Sequence, residues 1–111
     1  MSELPELSRE AACRIGPLVG IGGKSGDTVC GLSAVRRTRA LAYVFVAAGL
    51  AAGTRRELSR LCRQGTRVFR VEGLEELTRA VGRAGVSVVG VKRGPLAEGI
   101  GRRLGESGRG E

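Results

Sequence analysis

Three short, strongly apolar runs restrict the fold more than anything else in this sequence: "AYVFVAA" at 42–48, "TRVFRV" at 66–71 and "VSVVGVK" at 86–92. The first and third are nearly continuous in apolar residues. A strand with one solvated face would alternate, so this is the pattern of strands covered on both faces. "TRVFRV" mixes arginine with apolar residues and reads as a strand nearer a sheet edge. Between the runs lie "GTRRELSRLCRQG" at 53–65 and "GLEELTRAVGRAG" at 73–85, both with helical spacing. In the first, Leu58, Leu61 and Cys62 share a face, Thr54 is the expected N-cap and Gly65 the stop. In the second, Leu74, Leu77, Ala80 and Val81 form the apolar stripe; Glu75 and Glu76 suit the first turn, and Arg79 and Arg83 the last. Apolar strands alternating with helices need a helical layer on each side. The predicted fold is therefore α/β, a three-layer α/β/α sandwich around a mixed sheet of about four strands. A short helix near 32–40, another near 95–104 and a small strand at Thr28–Cys30 complete it. Residues 1–104 are expected to form one domain, and "GESGRGE" at 105–111 a disordered tail.

The stretch "VGIGGKSG" at 19–26 comes close to the phosphate-cradling signature G-x-x-x-x-G-K-S, but Leu18 stands where its first glycine belongs. The dinucleotide pattern G-x-G-x-x-G fails as well, at Ser25. A phosphate loop leaves a strand and enters a helix, whereas Leu4, Leu7, Ala11, Ile15 and Leu18 recur upstream at helical spacing. The stretch is expected to end a helix, its glycines serving the reversal into Thr28–Cys30. No nucleotide or other cofactor is expected.

Nineteen Lys and Arg against eleven Asp and Glu give a formal charge of +8. The first twelve residues carry three carboxylates and one arginine, so the rest of the chain holds a surplus of about ten positive charges. That balance suits a polyanion, nucleic acid foremost, because no apolar run of membrane length accompanies it. Aromatics are scarce: Tyr43, Phe45 and Phe69 all lie inside the apolar runs, which leaves little for stacking on bases. There is no histidine, and the adjacent carboxylates Glu75 and Glu76 belong to a helix start, so no catalytic set and no enzyme activity is read. Cys13, Cys30 and Cys62 are odd in number and lack paired C-x-x-C spacing, which argues against a metal site. They are expected to be reduced, unpaired and buried in the core of a cytoplasmic protein.

Several strings resemble the kink-turn-binding ribosomal proteins, the archaeal L-seven-Ae and eukaryotic L-thirty-e group. "IGGKSGDTVCG" at 21–31 is similar to that family's helix end, turn and first strand. "RRTRALAYVFVAAGLAAGTRRELSRLC" at 36–62 is similar to its basic helix end, apolar strand, loop and following helix. "FRVEGLEELTRAVGR" at 69–83 and "GVKRGPLAEGI" resemble its later strand, loop, helix and closing segment. The match spans 15–100 and is nearest in pattern to the small bacterial YlxQ-type members. It implies the L-thirty-e-like sandwich and RNA contacts at the start of the second helix, where the family places Gly, then Asn-Glu, then Lys. Gly31 keeps its place, while Ser33 stands for Asn, Ala34 for Glu and Arg37 for Lys. Gly49 stands where the family often has Asp. The spacing from Gly31 to Ala47 is about three residues short, so the second helix is expected to lose a turn.

The function these readings imply is non-catalytic binding of structured RNA, of kink-turn or ribosomal type, with reduced selectivity for the kink. The expected contacts are Lys24, Gly31, Ser33, Ala34, Arg36, Arg37, Arg39, Gly49, Glu72, Gly73 and Leu74, with ribosome or ribonucleoprotein components as further partners and a monomeric state. The alternative is a protein-interaction module of the same fold that has lost specific RNA readout.

Overall fold

A computed structural model describes residues 4–105; the tail expected to be disordered lies, apart from Gly105, outside the described residues. The elements are β1 (Glu6–Leu7), α1 (Arg9–Ser25), β2 (Thr28–Cys30), α2 (Leu32–Arg37), β3 (Leu41–Ala47), α3 (Ala52–Ser59) with a 3₁₀ turn at Arg60–Gln64, β4 (Arg67–Val71), α4 (Glu75–Ala80), β5 (Val88–Lys92) and α5 (Pro95–Arg103). The strands form one mixed sheet in the order β1-β4-β3-β5-β2. β3 runs parallel to β4, with Phe45 opposite Phe69, and antiparallel to β5.

Alternation along the strands divides the core. Tyr43, Phe45, Phe69, Val71, Val89 and Val91 pack with Ile15, Val19, Leu77 and Ile100 under α1, α4 and α5. Val44, Val46, Val68 and Val88 point the other way and pack with Val35 and Leu58 under α2 and α3. The apolar strands are thus covered on both faces, and the three-layer sandwich predicted from them is the fold observed. Each fully buried Val or Phe contributes about 1.5–3 kcal/mol relative to exposure.

Four local expectations are corrected. Leu7 does not belong to a helix: it is buried in β1, parallel to β4, which makes β4 second from the edge and adds a fifth strand. The helix begins later because Ser8 caps it, its Oγ accepting the Ala11 N–H at 3.1 Å.

The glycines of "VGIGGKSG" do not serve the reversal, apart from Gly26, whose φ of +89° closes α1. Gly20, Gly22 and Gly23 lie within α1 and let other backbone approach. A Cβ on Gly20 would sit 2.9 Å from the Ala80 carbonyl oxygen of α4, and one on Gly22 would sit 2.1 Å from Thr28 Oγ1. That hydroxyl donates to the Val19 carbonyl at 3.0 Å, tying β2 to α1.

The cysteines are free, but Cys13 and Cys62 are exposed and Cys30 is half-buried. The 3₁₀ turn explains Cys62. Residues i and i+3 eclipse there, so Leu61 stays beneath Leu58 while Cys62, one residue on, rotates outward. Cys13 lies off the α1 face defined by Ala12, Ile15 and Val19. Thr54 is likewise not a cap; α3 begins earlier, with Ala51 in the N-cap position and no side-chain cap bond.

Candidate nucleic-acid interface

β2, β3 and β4 all deliver their following loops to one end of the sheet. The Gly31 N–H donates to the Val88 carbonyl at 2.8 Å and the Ala47 N–H to the Ser87 carbonyl at 2.9 Å, so the starts of α2 and of the 48–50 loop flank one segment. At the outer side the Glu72 N–H donates to the Leu7 carbonyl at 3.0 Å. Gly31, Ser33, Ala34, Gly49, Glu72 and Gly73 therefore share this end. Gly31 holds a φ of +94°, which a side chain would strain, and the space beside it is open. Ser33 is exposed and accepts a hydrogen bond from Arg37 Nη1 at 3.3 Å. With six residues, α2 supplies local N–H donors rather than a macrodipole.

Leu74 lies in the same loop but is 5% exposed, a core residue rather than a contact. Arg9 covers Gly73: a Cβ there would meet its guanidinium carbon at 2.8 Å. Arg9 reaches Glu75 at 2.8 Å and Glu76 at 3.2 Å, and its hydrogen bond is the main cause that holds the Glu75 carboxyl below the ordinary range. Arg70 pairs with Glu6. The charges around this outer loop are thus largely matched.

Lys24 and Arg39 sit elsewhere. α1 ends at the opposite end of the sheet, where the Lys92 N–H meets the Asp27 carbonyl at 2.8 Å and the Arg93 N–H meets the Ala40 carbonyl at 2.9 Å. Arg36 lies between the two ends and turns to α3: its Nε and Nη2 donate to the two Glu57 oxygens at 2.7 and 2.8 Å. The seam it bridges opens into a cleft of about 480 Å³, lined among others by Val35, Arg36, Arg39, Glu57, Leu58 and Gln64.

The charge distribution is uneven. From Gly31 to Val71 the chain holds nine arginines and one carboxylate, Glu57, which equals the whole formal surplus of +8; the remaining residues balance. Seven of these arginines lie on or beside α2, α3 and the 3₁₀ turn, on one side of the sheet. Glu57 and the α2–α3 seam escaped the sequence reading. Charge balance taken segment by segment marks Glu57 as the lone carboxylate of 31–71; the seam itself depends on how the two helices lie.

Tyr43, Phe45 and Phe69 stack on one another at ring-centroid distances of 5.7 to 6.3 Å and are all buried, so none offers a face to a base.

Several solved structures share this fold. A Giardia lamblia 15.5kD RNA binding protein matches at a TM-score of 0.70 and 20% identity, over 92% of this chain and 91% of that one. The fold is of the L-seven-Ae type. A protein with unknown function from Bacillus halodurans C shares it at a TM-score of 0.65 and 20% identity, over 85% of this chain and 99% of its own. No protein-family model matches the chain, and no curated protein matches it. Within this L-seven-Ae-type fold, the loops gathered around Gly31 and Gly73 form one end of the sheet, small-residue loops in which Ser33 and Glu72 are the polar side chains, and most of the arginines lie beside it rather than in it.

Proposed function

We propose that this is a non-catalytic, cytoplasmic RNA-binding protein, acting as a monomer, that holds structured RNA at the sheet end formed by Gly31, the 48–50 loop and Glu72–Gly73. The observation that carries the reading is the gathering of these three loops at one end of the sheet, beside the exposed Ser33 and Arg37. The likeness to the Giardia RNA-binding protein over most of both chains supports it. The resemblance of the sequence to kink-turn binders narrows the ligand to a kinked internal loop, ribosomal or otherwise ribonucleoprotein-borne. Ser33 and Ala34 lack the carboxylate and amide that read guanine edges, so recognition rests on backbone donors, shape and charge.

The test is a binding titration with a kink-turn RNA and with a mutant lacking its tandem G·A pairs. The two affinities are expected within about tenfold, since one good base-specific contact is worth roughly 1–3 kcal/mol. Arg37→Glu with Ser33→Glu is expected to weaken both by at least about tenfold without moving the melting temperature. No measurable binding of either RNA, together with purification free of nucleic acid at low salt, would favour the protein-interaction reading instead.

A further inference from the structure

The sheet end described above carries little of the positive charge. The surplus lies on the neighbouring α2–α3 side, and its arrangement there is regular. Arg56, Arg60 and Arg63 are all exposed. The first two are four residues apart. The last two are three apart within the 3₁₀ turn, where positions i and i+3 eclipse. The same geometry that keeps Leu61 beneath Leu58 therefore lines these three arginines into one ridge, at intervals of about 5–6 Å. Successive phosphates along one nucleic-acid strand are separated on this scale. Arg39 borders the adjoining cleft, and Arg93 closes the far end, its Nη2 donating to the Gln64 carbonyl at 2.8 Å.

α3 and the 3₁₀ turn together extend about 22 Å. A duplex carries one phosphate charge per about 1.7 Å of its axis, so about a dozen charges pass along such a length, ample to face the four arginines that α3 and the 3₁₀ turn hold against one carboxylate, Glu57. Single strands are bound chiefly by stacking on aromatics, and all three aromatics here are buried. A regular duplex presents its backbone and needs no such platform.

We propose that the ridge of Arg56, Arg60 and Arg63 is a second RNA-contacting surface, which takes the sugar-phosphate backbone of a regular duplex without reading its bases. It extends the RNA-binding reading above and rests on it: the sheet end holds the irregular element, and the ridge holds a helical arm beside it.

The experiment uses a blunt RNA duplex about 20 base pairs long with no internal loop, titrated by fluorescence anisotropy at several salt concentrations. The native protein is expected to bind it. Arg56→Gln, Arg60→Gln and Arg63→Gln combined should weaken that binding at least about tenfold and flatten the plot of log affinity against log salt by about 0.7–0.9 per arginine. Arg14→Gln, Arg102→Gln and Arg103→Gln remove the same charge from α1 and α5 and should change affinity less than about threefold. Equal losses from the two triple variants, or equally tight binding of a polyglutamate of matched charge, would overturn the proposal. If the kinked RNA binds and the plain duplex does not, the ridge is wrong and the sheet-end site stands. If neither binds, both readings fall.

Discussion

Arg36 and Glu57 meet across the α2–α3 seam in a two-toothed pair, Nε to Oε2 at 2.7 Å and Nη2 to Oε1 at 2.8 Å. The bond from Arg36 is the main cause that holds the Glu57 carboxyl below its ordinary value of 4.5. Arg36→Glu is therefore expected to lower the melting temperature by setting two carboxylates against each other, and Arg36→Glu with Glu57→Arg to restore it. Because the folded pKa is depressed, the pair's contribution is complete above pH 4.5 and disappears as pH falls through the lowered value. Melting curves of the native protein and of Glu57→Gln should converge as the pH falls through that window. A constant gap would assign the effect to packing.

The glycines of α1 rank by what lies above them. Gly22→Ala places a methyl 2.1 Å from Thr28 Oγ1 and 2.5 Å from Leu96 Cδ2, and so disturbs the Thr28 bond to Val19. Overpacking of this kind costs about 1–3 kcal/mol, more than the roughly 1 kcal/mol that alanine gains over glycine in a helix. Gly20→Ala, 2.9 Å from the Ala80 oxygen, is expected to destabilise less, and Gly99→Ala in α5, with ordinary contact at 3.5 Å, to be neutral or stabilising. Urea midpoints of the three variants give the order.

Ala40, on the rim of the cleft, holds a φ of +59°, a left-handed conformation that an alanine side chain strains. Ala40→Gly is expected to stabilise the protein by about 1 kcal/mol by chemical denaturation. A loss of stability would show that the turn into β3 depends on the methyl group.

Thiol labelling distinguishes the three cysteines. Cys62 and Cys13 are exposed and should react without denaturant, whereas half-buried Cys30 should react slowly until the protein unfolds. The Cys13 thiol is pushed above 9.0, first by desolvation and then by the Glu76 carboxylate, so its rate should still be climbing as the pH rises through that value. Fast labelling of Cys30 in the native state would contradict its place in β2.

The strand runs around Val44, Val68 and Val89, the helices between them and the basic character of the chain are legible in the sequence, because each is a local pattern of apolar spacing or a sum of charge. Apolar runs that tolerate no solvated face require helices on both sides, and that requirement alone leads to the layered sheet. β1 was not legible: two residues carry no period, and Leu7 joins the sheet through its pairing with Val71. Nor were the roles of Gly20 and Gly22, since a glycine in a helix looks the same whether it ends the helix or admits another backbone. Cys62 left the core because the chain tightened into a 3₁₀ turn, a change of pitch that the residue spacing does not announce. The gathering of Gly31, Gly49 and Gly73 at one end, with Lys24 at the other, follows from strand direction, which sequence periodicity does not record. The pairing of Arg36 with Glu57 depends on two helices lying side by side on one face, and side-chain chemistry alone does not say which arginine that carboxylate meets.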